Sequence, residues 1–173
     1  PNAKGKVKIR FRGENQKTWQ MMRPHIMNIG LAEYNKKNLS QAVHDWKLYI
    51  DGAKSTLFTG VDLGADQYYS EVCYFIGLAA YQNKDFKTAT TYAQMAAQDP
   101  AKAKEANEIV LFAAKDAATT KADSVAYLNI LKKFHADEPS EQRYFNLLME
   151  YYSKAGDQEQ MLKWVEEEIS IAP

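Results

Sequence analysis

The stretch Ile29–Ala42, IGLAEYNKKNLSQA, is matched 47 residues later by Ile76–Ala89, IGLAAYQNKDFKTA, with Ile, Gly, Leu, Ala, Tyr, one Lys and the closing Ala in common. Seven identities in fourteen positions mark an internal repeat rather than shared composition. In each copy, apolar and small residues at helical spacing give way to a polar break, Asn35–Asn38 or Gln82–Asp85, before a second helical pattern begins. Each copy therefore predicts a helix, a turn and a helix.

The same template extends twice more with weaker identity. Glu108–Lys133 begins with an alanine-rich helical pattern (Ala113, Ala114, Ala117, Ala118) and passes a polar turn near Thr120–Asp123. It resumes with Val125, Leu128, Ile130, Leu131 and Phe134. Residues 143–173 place Ala155-Gly156-Asp157, a helix-stop and turn signal, between two apolar-periodic stretches. One helix hairpin cannot bury its apolar face alone, so four such units are expected to stack and share a core.

In these features the chain resembles the tetratricopeptide repeat (TPR) family, whose unit is a helix hairpin of about 34 residues. Gly30 and Gly77 stand where that pattern has its glycine, with Ala114 and Met149 at the equivalent place in the later blocks. Ala42, Ala89, Ala126 and Met161 match the small position of the second helix, and Trp46, Ala93, Ile130 and Val165 its large position, where Ala93 departs. Pro100, Pro139 and Pro173 close the second, third and fourth blocks. The resemblance implies an all-α, right-handed superhelical stack of TPR-like hairpins, an α-solenoid, at approximately 18–52, 66–100, 102–137 and 140–173. Met149 in place of a small residue implies a looser fourth hairpin.

The spacing is uneven. From Gly30 to Gly77 is 47 residues, from Gly77 to Ala114 is 37 and from Ala114 to Met149 is 35. The first interval is thus about 13 too long against the family period, and the excess sits at 51–66. Gly52, Gly60 and Gly64 alternate there with Leu57, Phe58, Val61 and Leu63, which predicts an ordered insertion or a lengthened second helix rather than a flexible linker. Before the array, residues 1–17 read as a basic N-terminal tail or the remnant of an upstream domain. Within them Lys4, Lys6, Lys8, Arg10 and Arg12 alternate with Gly5, Val7, Ile9 and Phe11, the period-two pattern of a short extended segment with one basic and one apolar face. Such a segment suits a tail, a self-docking strand, or an arm for an anionic surface. At the other end Met161, Leu162, Trp164, Val165, Ile169 and Ile171 crowd the last helix. Capping repeats are polar outside, so further chain, a second copy or the N-terminal segment is expected to cover this helix.

Composition narrows the class. With 46% hydrophobic and 25% charged residues the chain is neither disordered nor fibrous. No apolar run reaches the ~20 residues of a membrane span. Cys73 is the single cysteine, which rules out an intramolecular disulfide and cysteine-rich metal sites. Pro1 is not preceded by a basic and then apolar leader, which suggests that an upstream segment has been removed. Residue usage leans toward an exported, periplasmic bacterial protein, with the cytoplasm as the alternative. Net charge is zero, yet residues 1–23 carry +6 and residues 137–173 carry −6. That split permits head-to-tail homo-oligomers or separate partners for the two ends; solvated faces are the plainer reading.

Catalytic patterns are not found. His25, His44 and His135 lie far apart and outside any HExxH pattern, and His44 reads as a partly buried core or groove histidine. Phosphate-binding glycine loops and the GxSxG elbow are missing from the sequence. Cys73 falls on an apolar helical face and reads as an inert thiol. Glu166, Glu167 and Glu168 fan around a helix as a solvated face. The reading is a non-enzyme with no metal, cofactor or small-molecule substrate.

What the resemblance implies instead is a concave groove lined by the first helix of each hairpin. Its positions fall on Met27, Leu31, Tyr34 and Asn35, then on Tyr74, Leu78, Tyr81 and Gln82. In the later blocks they fall on Leu111, Lys115 and Thr119, and on Asn146, Glu150 and Lys154. Family members that clamp a C-terminal carboxylate use Asn where Leu31 and Leu78 stand here, so that type of receptor is disfavoured. A tyrosine-rich strip suits an apolar or aromatic anchor of a peptide or protein partner; the alternative is that these tyrosines pack between hairpins. Two other function classes stay open: an oligomerisation module of a larger protein, and a carbohydrate- or nucleic-acid-binding surface using the tyrosines and the basic segment. Nucleic acid has the weaker case, because only Phe11 is available for stacking.

Overall fold

Local hydrogen bonding in the two matched stretches repeats atom for atom. In a computed structural model, which describes residues 11–61 and 66–171, the amides of Lys36, Lys37 and Asn38 donate to the carbonyls of Ala32, Tyr34 and Glu33. Forty-seven residues on, Asn83, Lys84 and Asp85 donate to Ala79, Tyr81 and Ala80. The lysine common to both stretches is the residue that turns the chain: Lys37 and Lys84 sit in the left-handed region at φ 65° and 61°. Asp85 then caps the following helix by accepting from the Thr88 amide at 3.1 Å.

The described residues form eight α-helices and no strand. They are α1 (Arg12–Asn35), α2 (Leu39–Ala53), α3 (Tyr69–Gln82), α4 (Phe86–Ala96), α5 (Ala103–Ala117), α6 (Lys121–Asp137), α7 (Gln142–Ala155) and α8 (Gln158–Ile171), with a short 3-10 helix at Thr56–Phe58. The protein is thus all-α. Its contacts divide into two compact units, residues 1–110 and 111–173.

In the first unit α1 packs on α2, α2 on α3 and α3 on α4. Gly30 and Gly77 are both buried, each facing the position sixteen residues later in its own hairpin. In the first hairpin that position holds Trp46, whose indole covers Gly30 and donates from Nε1 to the Met27 carbonyl at 3.1 Å. In the second it holds Ala93, and the helix backbones close up until a Cβ on Gly77 would lie 3.2 Å from the Ala93 nitrogen. The departure of Ala93 from the large residue therefore has a consequence in packing: one hairpin is spaced by a ring, the other by a methyl group. Ala42 and Ala89, the small positions, are fully buried.

The segment after α2 lies against α1. Arg12 donates to the carbonyls of Leu57 (2.9 Å) and Thr59 (2.7 Å), and Gln16 to Leu57 (2.8 Å). Phe58 is buried against Trp19, with ring centroids 4.9 Å apart. Two details differ from the sequence reading. Residues 12–17, assigned there to the tail, are helical, because Arg12 and Gln16 have carbonyl partners that only the folded 54–61 segment supplies. The extended segment read over 4–12 otherwise lies outside the described residues; of its last residues, Phe11 is left-handed at φ 64° and Arg12 opens α1.

In the second unit α6 packs on α7 and α7 on α8. A capping box starts α6: the Thr120 hydroxyl accepts from the Asp123 amide (3.2 Å) while the Asp123 carboxylate accepts from the Thr120 amide (3.0 Å). Gly156, at φ 70°, ends α7 in the left-handed conformation, as its place in the sequence suggests. Tyr127, Leu131, Phe134, Tyr144, Leu148 and Tyr152 are buried. Three sequence assignments are corrected here and in the first unit. Ala126 is exposed and Tyr127 buried, so the inward register of α6 is one residue later than the alanine match suggests. His44 is exposed, because α2 turns Val43, Asp45 and Trp46 inward and leaves position 44 outside. Glu168 is turned inward, away from exposed Glu166 and Glu167: its carboxylate stands 3.7 Å from Nε2 of the buried His135, beneath Trp164.

Candidate functional site

Each unit brings part of the expected groove set to its surface. In the first unit Leu31 is 45% exposed and Asn35 is exposed, while Met27, Tyr34, Tyr74, Leu78 and Tyr81 are half-buried. Their inner halves have structural partners. The Tyr34 ring lies 5.9 Å from the Trp46 ring, and its hydroxyl accepts from Gln82 Nε2 at 2.8 Å, which ties the end of α1 to the end of α3. Trp46 stacks on Phe75 at 5.6 Å, and Phe75 meets Tyr74 edge-on at 5.7 Å. Lys102 sits over the other part of Tyr74, 5.4 Å from its centroid, and burial pushes the Tyr74 hydroxyl pKa up. Tyr81 packs beside Phe86. The backing layer of Trp46 and Phe75 has no signature in the groove positions themselves; only the wide helical spacing of aromatic residues across α2 and α3 hinted at it.

In the second unit Lys115, Glu150 and Lys154 converge. Glu150 receives Lys154 Nζ at 2.6 Å and Lys115 Nζ at 3.3 Å, and these two ammonium groups hold its carboxyl below the usual carboxylate range. They edge a pocket of about 410 Å³ whose walls include Ser124, Tyr127, Leu147 and Tyr151. Burial pushes the Tyr127 hydroxyl up to about 12. Asn146 is exposed one turn before Glu150, Thr119 is exposed beside the α6 cap, and Leu111 is withdrawn into the core. Tyr127 and Tyr151, 6.2 Å apart, are outside the expected groove set: the one-residue register difference in α6 conceals Tyr127, and Tyr151 stands next to Glu150 on α7 at a position the family pattern does not count.

Among the described residues no group of three or more His, Cys, Asp or Glu side chains is placed to hold a metal ion. No helix of the described residues is long and apolar enough to cross a membrane. Cys73 is fully buried, and burial raises its thiol to about 11 from an ordinary 9. Because the thiolate is the reactive form, the native protein is expected to react with a thiol reagent at neutral pH at least about a hundredfold more slowly than the urea-unfolded chain. Equal labelling rates in the two states would show the thiol to be accessible. On these surfaces Leu31 offers apolar area, the tyrosines amphipathic area, and Lys115 and Lys154 positive charge.

Compared with known proteins, the chain matches no family model and no curated protein.

Proposed function

We propose that this chain is a non-catalytic scaffold of TPR-like hairpins, stacked as a solenoid, that holds a peptide or protein partner on the α1 and α3 face of its first unit. The carrying observation is the exposure of Leu31 beside half-buried Tyr34. An apolar side chain left open against a rigid aromatic backing is the usual chemistry of an interface anchor. The hairpin reading is supported by the turn hydrogen bonds that recur at an offset of 47 residues and by the matched Gly30–Trp46 and Gly77–Ala93 contacts. Lys115 and Glu150, with Asn146 alongside, form a second, polar contact surface in the other unit.

Tyr34 is a poor site for a test, because its ring and hydroxyl also brace Trp46 and Gln82. Leu31 has no such duty. Peptides selected on the wild-type protein from a displayed random library are expected to share an apolar or aromatic anchor. Those peptides should bind Leu31→Lys at least about tenfold more weakly, the equivalent of one anchor contact, with the melting temperature unchanged. Peptides that bind both proteins equally, or a library that yields no binder, would reject the groove.

A further inference from the structure

The pocket of about 410 Å³ in the second unit has in its wall a polar group that the fold leaves without a partner. Only 6% of Tyr127 is exposed, yet among the described residues nothing hydrogen-bonds to its hydroxyl; its ring meets that of Tyr151 at 6.2 Å. Buried polar groups ordinarily find partners, so a phenol that lines a cavity and has none points to an occupant. Burial, and after it the charge of Glu150, pushes the hydroxyl pKa up to about 12, so at neutral pH the group keeps its proton and can donate. Beside it Lys115 and Lys154 share the single carboxylate of Glu150. Two positive charges against one negative leave a surplus of one positive charge on that edge. Ser124 offers no further donor, because its hydroxyl already donates to the Thr120 carbonyl at 3.0 Å. Leu147, Tyr151, Ala118 and Ala155 supply the apolar and aromatic walls.

We propose that this pocket binds a small organic acid, a single carboxylate on an aromatic or alkyl body, with the carboxylate on Lys115 and Tyr127 and the body against Tyr151 and Leu147. Charge selects the class of ligand. A cation meets two ammonium groups for one carboxylate, a neutral molecule leaves the surplus charge unused, and a dianion exceeds it. A carboxylate matches it, and it accepts charge-assisted hydrogen bonds from Lys115, the stronger kind. The volume lies within the ~300–1,000 Å³ of small-ligand sites, which pair apolar walls with a few converging polar groups as this one does. All the lining residues belong to the second unit, so the inference does not rest on the Leu31 face of the first.

Calorimetric titration of the protein with hydrocinnamate at low salt tests it. One saturable site is expected, with Kd of about 1 mM or tighter, a modest affinity for a ligand of that size. The corresponding alcohol and amine keep the body and lose the negative charge, and should bind at least about tenfold more weakly. Tyr127→Phe removes a hydroxyl on which no other described residue depends, so its melting temperature should match the parent's while affinity for the acid falls about fivefold or more. Lys115→Met should cost about tenfold, with Glu150 still held by Lys154. Glu150→Gln removes the opposing charge and should tighten binding by about threefold. The proposal is overturned if the acid shows no saturable binding, or if the alcohol or amine binds as well as the acid. It is overturned equally if Tyr127→Phe or Lys115→Met binds like the parent, or if Glu150→Gln binds more weakly. A short peptide ending in a free phenylalanine carboxylate that binds about tenfold more tightly than hydrocinnamate also overturns it, by assigning the pocket to a chain terminus.

Discussion

Gly30→Ala is expected to destabilise the first unit by about 3 kcal/mol, although the same change in an ordinary helix interior stabilises by about 1 kcal/mol. The sign reverses because of Trp46. A Cβ on Gly30 would lie within 2.6 Å of Cδ1 and 2.7 Å of Cε2 of the indole. The ring has nowhere to go: it is 2% exposed, held through Nε1 to the Met27 carbonyl and stacked on Phe75. Overpacking of this kind costs roughly 1–3 kcal/mol, and a displaced ring also loses a hydrogen bond of about 1 kcal/mol. Gly77→Ala is the internal comparison. Its Cβ would meet Ala93 N at 3.2 Å and Ala89 O at 3.3 Å, a tight fit that small shifts relieve, so the loss there should be below about 1 kcal/mol. Urea midpoints of both variants measure the difference. Trp46→Phe in the Gly30→Ala background should return most of the loss, giving a large coupling in a double-mutant cycle. A Gly30→Ala protein as stable as the parent would mean that the indole does not pack on the backbone.

The hairpins were legible because their information is local. The turn depends on a lysine that adopts the left-handed conformation and on hydrogen bonds within five residues of it. The close approach of helices depends on a single glycine. These signals lie inside the fourteen-residue match, and the structure repeats them at the same offset. Tyr34, Tyr74, Lys115 and Glu150 were reachable for the same reason, since each holds a fixed place relative to a turn.

The start of α1 was obscured by an inversion of the usual amphipathic pattern. Its inward side carries Arg12, Gln16 and Arg23, which bond to the 54–66 segment, while Met21, Met22 and Ile29 point outward. Periodicity arguments assume that the apolar side faces the core, and here the core-facing side contains polar residues whose partners are some 40 residues away. The approach of Glu168 to His135 was hidden similarly, by 33 residues of separation and because Glu168 read with its neighbours as a solvated face. In α6 the match of Ala126 to a small position misled by one residue: the cap at Thr120 sets the register, and it turns Tyr127 inward. That step also kept Tyr127 out of the expected groove set.

Arg23 provides the sharpest test of how the segment after α2 is held. Its guanidinium lies 4.0 Å from the Tyr49 ring centroid and 4.9 Å from that of Trp19, and it pairs with the Asp66 carboxylate. Asp66 also accepts from the Tyr49 hydroxyl at 2.9 Å and from the Tyr68 amide at 3.1 Å. The pair is largely buried, with about a sixth of each side chain exposed (16% and 17%). Removing one member of such a pair leaves the other charge without compensation, which costs roughly 3–5 kcal/mol when burial is complete. The cation–π contacts add a fraction of that. Residual exposure puts Arg23→Ala at the lower end, about 3 kcal/mol. Asp66→Asn should cost less, because an amide oxygen still accepts from Tyr49 and Tyr68. Arg23→Lys should rescue little, since an ammonium lacks the flat faces that lie between two rings. Because Trp19 covers both Gly52 and Phe58, losing Arg23 should also loosen the 54–61 segment. Protease cleavage there should accelerate in Arg23→Ala before global unfolding begins. If Arg23→Ala melts within about 0.5 kcal/mol of the parent, as an ordinary surface substitution does, and its 54–61 segment stays resistant, the arginine is a bystander. The segment would then be held by Arg12, Gln16 and Phe58 alone.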